Sequence, residues 1–530
     1  MQRIRTFGAL GVAGLVAALT LPSSAVAAAP YPSDTAKPDP IALLASYGDY
    51  WQSAKTAAAP FAGTVVDAQV MSRDDQVVVW VNQHATPAQQ FKALQDSLYD
   101  NAGTAYDQSV TVGTGFGSVL GAAYVAGRTS GALPLTSALV NSETGTAGAY
   151  LSTGDAKAAF SHPRPYLPTN PATPAQPGDN PGCDPATYNA AGQASVRVGA
   201  AWADAQGNLD ITRVPETVDT TKQFAPNDVP LDPDYTTDTG ICTGGSFPSG
   251  HTLTALEAGV TLATLVPELA PELLTRASEN GLDRMVLGVH YPLDLMGGRI
   301  AAEAAIATRW SDVQYRDEVL LPARAELVAY LEQACGAALT ACIAAQQPYA
   351  SDPFAGQTLP GGTAQVVTDR ATALATYTER LTYGFPRVTA GGQPATVPDG
   401  AANLLLTTFP SLTDAQRTAV LAQTEIDSGY PLDGTGTAAG GWQRLNLAAA
   451  TSATVQVAAD GSVLVTAVGG TANVGAAPVA PTAPPVVSEP VLAATGADAS
   501  DLALVAVVLL VSGGALLVGG TRTRRPRPLA

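Results

Sequence analysis

Basic side chains are scarce in this chain: Lys and Arg number 27 against 45 Asp and Glu, a formal net charge of −18 at pH 7 over 530 residues. A protein that binds the backbone of DNA or RNA needs an excess of cations, so nucleic-acid binding is disfavoured. Histidine is rarer still. The chain has only four histidines, and three of them (His162, His251 and His290) lie in or beside clusters of polar residues. This concentration is the first indication of a chemical site.

Cysteine is equally rare, with four residues whose spacing fits no zinc site: Cys183, Cys242, Cys335 and Cys342. An even number in an exported chain indicates disulfides, and three pairings are possible in principle. Proximity favours Cys335 with Cys342, which leaves Cys183 with Cys242. Because a continuous helix would separate Cys335 and Cys342 by about 10.5 Å along its axis, we predict a break and a short turn between them.

The N-terminus has the pattern of a secretory signal peptide. Arg3 and Arg5 precede an apolar run over 7–21, and mostly small residues follow over 23–29. We therefore assign residues 1–29 to targeting, predict cleavage near Ala27 or Ala29, and expect the protein to be exported.

The C-terminus predicts an anchor. Residues 502–520 carry no charge and precede four arginines, as in a membrane helix with a cytoplasmic basic end. The preceding sequence LAATG, at 492–496, resembles the sortase sorting signal of actinobacterial surface proteins. That resemblance implies cleavage between Thr495 and Gly496, and attachment of Thr495 to the peptidoglycan of a Gram-positive, actinobacterium-like cell. Sortase and the wall are then partners, and the membrane is met only through the helix before sorting. A plain single-span anchor is the alternative.

Between these ends the pattern predicts an all-α protein. Residues 30–347 read as a helical-bundle domain, with helices expected at 88–99, 116–126, 252–265, 271–289 and 295–308. None is an uninterrupted apolar span of membrane length, so this region is expected to be water-soluble. Residues 166–247, rich in Pro, Asp and Thr, read as a long insertion loop. A smaller, mainly helical extension over 348–475 ends in a predicted β-hairpin, and a Pro-rich stalk follows over 476–491.

The first polar cluster is KAAFSHPRP, residues 157–165. A spacing of seven would place Lys157 and Arg164 on one face of a helix that ends at the two prolines. Two cations on one face suit an oxyanion, although a solvated helix end is the simpler interpretation of this cluster alone.

The second cluster is GGSFPSGHT, residues 244–252, a turn that leads into a helix. Backbone amides at a helix N-terminus bind anions, so the amides of Ser249 and Gly250 are candidate ligands for an oxyanion. His251 can donate a proton to a leaving oxygen. Taken alone, the sequence could be an ordinary helix cap.

The third cluster is Arg284-x5-His290-x3-Asp294. Asp294 can fix the tautomer of His290 and make it a better nucleophile, which is the role of Asp in a Ser-His-Asp triad. A structural His–Asp pair is the alternative. No group of carboxylates or histidines has metal-ligand spacing, so no metal is expected.

Together and in this order, the three clusters resemble the signature of the type 2 phosphatidic acid phosphatase (PAP2) superfamily, which includes class A acid phosphatases, lipid phosphatases and vanadium haloperoxidases. The resemblance implies a phosphate monoester substrate, His290 as nucleophile, Asp294 as its orienting group and His251 as general acid. It also implies that Lys157, Arg164, Ser249, Gly250 and Arg284 bind the phosphoryl oxygens, without a cofactor.

Two features depart from that signature: Asp283 stands where the family usually has Ser, and the insertion over 166–247 is long. Asp283 would add negative charge near the phosphate unless it is turned away, and the insertion could be a lid or a specificity loop. Three alternatives stay open: a haloperoxidase that binds vanadate, a phosphatase of lipid phosphates or pyrophosphates, and a surface interaction protein without activity.

Overall fold

A computed structural model of the chain describes residues 31–99, 108–140, 147–166, 191–232, 244–437 and 440–476. The predicted signal peptide, stalk, sorting signal and membrane helix lie outside these residues, and so does the predicted Cys183–Cys242 bridge.

Helices dominate the described residues, as the sequence predicted. In chain order they are α1 Pro32–Thr35, α2 Pro40–Leu43, α3 Ala68–His84, α4 Pro87–Leu98, α5 Gln108–Val112, α6 Ser118–Ser130, α7 Pro134–Val140, α8 Gly154–Phe160, α9 Ala191–Arg197, α10 Gly250–Leu265, α11 Ala270–Val286, α12 Pro292–Ser311, α13 Val313–Tyr315, α14 Leu321–Cys335, α15 Leu339–Ala345, α16 Arg370–Arg380, α17 Asp414–Thr424 and α18 Leu447–Ala450. The five helices expected in the catalytic domain are all present, with boundaries shifted by a few residues.

The protein is not purely helical, because short strands pair in the connections. The antiparallel pair β1 (Trp51–Ser53) and β2 (Gly63–Val65) precedes α3, and a second pair, β3 (Thr217–Asp219) and β4 (Val229–Leu231), lies in the insertion. The predicted C-terminal hairpin is present as β5 (Thr454–Val457) and β6 (Val463–Ala467). A further strand, β7 (Asn473–Ala476), pairs in parallel with β5.

The core is centred on α10, α11 and α12, which carry the second and third polar clusters at or near their ends. Ser249 caps α10 by accepting a hydrogen bond from the amide of Thr252 at 3.2 Å. Helix α11 ends before Gly288, whose φ of 70° is a left-handed conformation that favours glycine and turns the chain toward His290. The residues that begin α10 and end α11 therefore bring the second and third polar clusters into position.

The extension over 348–475 packs directly on this core. In α11, the Thr275 hydroxyl donates to the carbonyl of Ala373 in α16 at 2.9 Å. In α12, Arg299 donates to the carbonyl of Gln443 at 2.7 Å, and Tyr377 of α16 donates to Glu303 at 3.1 Å. Together with α3, α4 and α10, the extension buries every residue of α11.

One local expectation is wrong: Lys157 and Arg164 do not share a helix. Helix α8 ends at Phe160, and Ser161 adopts a left-handed conformation with φ of 47°. Pro163 disfavours helical geometry for the residue before it, so the chain leaves the helix before Arg164. Both side chains nevertheless reach the same site.

The break predicted between Cys335 and Cys342 is present. Helix α14 ends at Cys335, Gly336 has φ of 78°, and α15 begins at Leu339. The two cysteines are disulfide-bonded with their Cα atoms 6.1 Å apart.

No single helix in the described ranges is long and apolar enough to cross a bilayer. Two pairs of helical segments pass only when taken together, and they are bent by 120° (Gly250–Leu265 with Pro267–Val286) and by 52° (Val313–Cys335 with Leu339–Ala345).

Candidate active site

His290 and Asp294 form a buried pair at the start of α12. Nδ1 of His290 lies 2.9 Å from Oδ2 of Asp294, and the same oxygen accepts the amide of Tyr291 at 2.8 Å. Because the carboxylate accepts a hydrogen bond from the protonated Nδ1, the neutral imidazole presents a lone pair at Nε2. His290 is 1% exposed.

Arg164 faces that lone pair. Its Nη1 lies 2.9 Å from Nε2 of His290 and also donates to the carbonyl of Val289 at 3.0 Å. Lys157 reaches the same region from α8, donating to the carbonyls of Gly245 at 2.8 Å and Ser246 at 3.2 Å. Lys157 and Arg164 of the first cluster therefore lie close to His290, the candidate nucleophile in the third cluster.

Ser249 contributes differently from the expectation. Its amide donates to the carbonyl of Asp294 at 3.0 Å, so this amide is not available to an oxyanion, and that part of the prediction is wrong. The reason is that the capping residue turns its own amide back toward α12. Its hydroxyl accepts hydrogen bonds from the amide and the hydroxyl of Thr252, at 3.2 and 2.9 Å, and keeps its own proton to donate. The amide of Gly250 lies in the first turn of α10, where the helix offers no acceptor.

Ser97, at the end of α4, joins two residues of the site. Its hydroxyl accepts from Nη1 of Arg284 at 2.7 Å, and its backbone carbonyl hydrogen-bonds to the ring of His251. No sequence motif indicates Ser97, because this residue is distant in the chain from all three clusters.

The electrostatics of the two histidines show how closely the cations surround them. Burial, followed by Arg164, Lys157 and Arg284, lowers the pKa of His290 well below its usual value. Burial, followed by Arg284, Arg164 and Lys157, does the same to the pKa of His251. Without a bound anion, both imidazoles are therefore neutral near pH 6.5.

The carboxylates behind the site show the opposite effect. Burial raises the pKa of Asp294 to about 7, against the hydrogen bond from the Tyr291 amide and the charges of Lys157 and Arg164. Asp74 of α3, which accepts the amide of Leu293 at 2.9 Å, has its pKa raised well above the usual range by burial and then by Asp294.

The Asp283 carboxyl group hydrogen-bonds to helix α4. Its Oδ1 accepts from Nε2 of Gln89 at 2.6 Å, on α4. Burial, followed by Asp96 and Glu279, raises its pKa well above the usual value. The raised pKa means that Asp283 carries less negative charge near neutral pH than an ordinary carboxylate.

Comparison with known families finds a match in this part of the chain. A family model described as PAP2 superfamily matches residues 215–318, which include Ser249, Arg284 and His290 but neither Lys157 nor Arg164. This chain contains a PAP2 superfamily domain.

Three relatives resemble the PAP2 domain at modest identity. An acid phosphatase of Zymomonas mobilis is 33% identical over 118 residues, 22% of this chain and 44% of that protein. A non-specific acid phosphatase of Providencia stuartii is 33% identical over 75 residues, 14% of this chain and 30% of that protein. A decaprenylphosphoryl-5-phosphoribose phosphatase of Mycolicibacterium smegmatis is 38% identical over 77 residues, 14% of this chain and 42% of that protein. The chain spans less than half the length of each of them.

Proposed function

We propose that this protein is an exported acid phosphatase that hydrolyses phosphate monoesters through a phosphohistidine intermediate. The observation that carries the proposal is the position of His290, whose Nδ1 is bonded to Asp294 while its Nε2 lies 2.9 Å from Arg164. A neutral imidazole with its lone pair directed into a group of cations is suited to attack an anionic phosphorus centre.

In the first step Nε2 of His290 forms a bond to phosphorus as the ester P–O bond breaks. Asp294 holds the Nδ1 proton and stabilises the positive charge that develops on the ring. Protonated His251 gives its proton to the leaving alkoxide, which departs as an alcohol. In the second step neutral His251 takes a proton from water, the hydroxide attacks phosphorus, and the P–N bond breaks to release phosphate.

Charge on the equatorial oxygens is neutralised by Lys157, Arg164 and Arg284 together with the Ser249 hydroxyl and the Gly250 amide. In many phosphoryl-transfer enzymes Mg²⁺ does this work. Loss of one such donor is expected to cost about 2.7 to 4 kcal/mol of transition-state stabilisation, by analogy with oxyanion holes.

The test is an activity panel on the purified protein: p-nitrophenyl phosphate, inorganic pyrophosphate and a polyprenyl phosphate, each with and without vanadate, and bromide oxidation under the same conditions. Turnover of p-nitrophenyl phosphate that vanadate inhibits supports the proposal. A preference for the polyprenyl phosphate or for pyrophosphate would show that the substrate is not a simple phosphate monoester. The polyprenyl phosphate is included because the mycobacterial relative is named as a decaprenylphosphoryl-5-phosphoribose phosphatase. Vanadate-dependent bromide oxidation would identify a haloperoxidase. No activity in any of these assays would favour an interaction protein.

Activity is expected to survive exhaustive treatment with EDTA. Three cationic side chains occupy the place where a divalent cation would otherwise balance the phosphate, and they would repel such an ion. The measurement is the initial rate after chelation and gel filtration. A loss of rate that Mg²⁺ or Zn²⁺ restores would contradict the metal-free mechanism.

Binding of a phosphate-like dianion is expected to take up as much as one proton per site near pH 7. The cations that lower the pKa of His251 in the empty site are neutralised when the dianion binds, so its pKa rises and the ring becomes protonated. Calorimetry of the binding of tungstate, which is a dianion at pH 7, in two buffers of different ionisation enthalpy measures the uptake. The variant His251→Ala should lose it, and buffer-independent heats in the unmodified protein would contradict the assignment of His251 as the acid.

We also propose that the protein is attached to the cell wall through Thr495, with residues 476–491 as the stalk. The support is the sequence of the C-terminus. Mass spectrometry of wall fragments released by a muramidase should find peptides that end at Thr495 and carry a peptidoglycan stem. Peptides that continue through Gly496 would indicate a plain membrane anchor.

A further inference from the structure

His162 is buried behind the site and does not belong to its phosphate-binding side. Aromatic rings surround it: the centroids of Trp51, Tyr291 and Tyr47 lie 4.9, 5.1 and 5.9 Å from that of the imidazole, all at steep interplanar angles. A histidine in such a setting could be simple packing, but both of its ring nitrogens have polar partners.

Those partners fix the direction of the protons. Nε2 of His162 lies 3.0 Å from Nε2 of Gln193, an amide donor, so this ring nitrogen is an acceptor. Burial, followed by Arg197, lowers the pKa of His162 well below its usual value, so the ring is neutral and its proton is on Nδ1. Nδ1 lies 3.0 Å from Oγ of Ser246 and donates to it. The Ser246 hydroxyl keeps its own proton for another acceptor.

Ser246 connects His162 to the catalytic residues. Its amide donates to the carbonyl of His162 at 2.8 Å, and its carbonyl accepts from Lys157 at 3.2 Å. A hydrogen bond from its hydroxyl lowers the pKa of Asp294. Oδ1 of Asp294 is buried and has no partner of standard hydrogen-bond geometry within the described residues, so this oxygen has room to accept a further donor.

We infer that His162 is a positioning residue, which through Ser246 directs a hydroxyl proton to Asp294 and so helps to hold the Nδ1 proton of His290. Gln193, in helix α9 of the insertion, selects the tautomer of His162 that makes this possible. Arg197 of the same helix pairs with Asp75 at 2.7 Å and donates to the Tyr291 hydroxyl at 2.9 Å. Through Gln193 and Arg197, the insertion thus helps to position His290 from the side opposite the phosphate-binding groups.

The charge on Asp294 gives the inference a pH-dependent signature. The titratable groups that face Asp294 are His290, Tyr291, Tyr47, Asp74, Lys157 and Arg164. A donor to a carboxylate favours its charged form, so removing the Ser246 hydroxyl raises the pKa of Asp294. Since Asp294 must be charged to hold the Nδ1 proton, the acid limb of the kcat profile should move to higher pH.

The test compares His162→Phe, which keeps the ring volume, with His162→Asn, whose amide can donate from near the Nδ1 position. One net hydrogen bond corresponds to about 3- to 10-fold in rate. We expect His162→Phe to lower kcat by that factor with little change in KM and to move the acid limb upward, and His162→Asn to recover most of the loss. His84→Phe is the matched control, because His84 also has a hydrogen-bonded Nδ1 and stacks on Trp80 outside the site.

A double-mutant cycle tests the route. If the effect passes through Ser246, then His162→Phe should cause no further loss in a Ser246→Ala protein. Additive losses, an unmoved acid limb or failure of His162→Asn to recover activity would each overturn the inference and leave His162 as a packing residue.

A second measurement is independent of turnover and of variant folding. The chain has only four histidines, so ¹⁵N-histidine labelling gives assignable ring spectra. His162 should be neutral with its proton on Nδ1, and a proton on Nε2 would overturn the relay. The kinetic measurements rest on the proposed function, whereas the ¹⁵N spectrum of His162 does not. If the protein hydrolyses no phosphoester, the proposed function is wrong. The tautomer of His162 then decides the inference.

Discussion

Replacing His290 with alanine is expected to reduce turnover by at least about 10⁴-fold for every phosphoester, whatever the leaving group, because the variant cannot form the bond to phosphorus. The measurement is steady-state hydrolysis of p-nitrophenyl phosphate, together with rapid acid or alkaline quenching of a ³²P-labelled substrate. The unmodified protein should yield an acid-labile, base-stable phosphoprotein, and the variant should yield none.

The control for this experiment has to separate lost chemistry from lost structure. His290 is buried against Asp294, so its removal also costs stability, by about 1 to 3 kcal/mol for the unpaired carboxylate. Thermal unfolding and near-ultraviolet circular dichroism of His290→Ala should therefore show a folded protein with a lower Tm. His84→Ala, outside the site, should retain full activity. A folded His290→Ala protein that still forms a phosphoprotein would exclude His290 as the nucleophile.

Replacing His251 with alanine is expected to have an effect that depends on the leaving group. General acid catalysis contributes about 10² to 10⁴-fold, so alkyl phosphates should lose about that much. p-Nitrophenolate needs no proton to depart, so His290 should still be phosphorylated by its ester. Water is then poorly activated, and the product should appear as a burst of about one equivalent per enzyme followed by a slow phase. Stopped-flow absorbance measures both phases.

The matched comparison is between p-nitrophenyl phosphate and a simple alkyl phosphate in the same preparation of His251→Ala. Equal losses for the two substrates would show that His251 does not protonate the leaving oxygen. The absence of a burst would show that it does not assist hydrolysis of the intermediate.

The parts of the site that the sequence could predict are local ones. Asp294 follows His290 by four residues and accepts the amide of Tyr291, so one helix start fixes the pair. Ser249 caps the helix that carries His251, and a cap is set by neighbouring residues alone. The helices themselves followed from apolar periodicity and from Pro and Gly at their ends. Such features depend on contacts within a few residues, which is why sequence alone was sufficient.

The parts that it could not predict depend on contacts between distant segments. Ser97 belongs to α4, and only the packing of α4 beside α10 and α11 brings it to His251 and Arg284. His162 and Ser246 are likewise far apart in the chain. The Ser249 amide could have turned either way from the cap, and the carbonyl of Asp294 decided its direction. A motif indicates which residue types are present, whereas the fold determines which groups they contact.

The burial of α11 on every side has a consequence for any attempt to shorten this protein. Arg284 lies near the end of α11, while Thr275 and Ser278 on the same helix bond to Ala373 and Arg380 of the extension. A fragment cut at the limits of the family match would keep His251 and His290 but lose Lys157 and Arg164, and it would leave polar groups of α11 without acceptors or donors. The candidate site is therefore not contained in the matched segment, and a shortened protein would need Lys157 and Arg164 as well as a redesigned outer surface on α11.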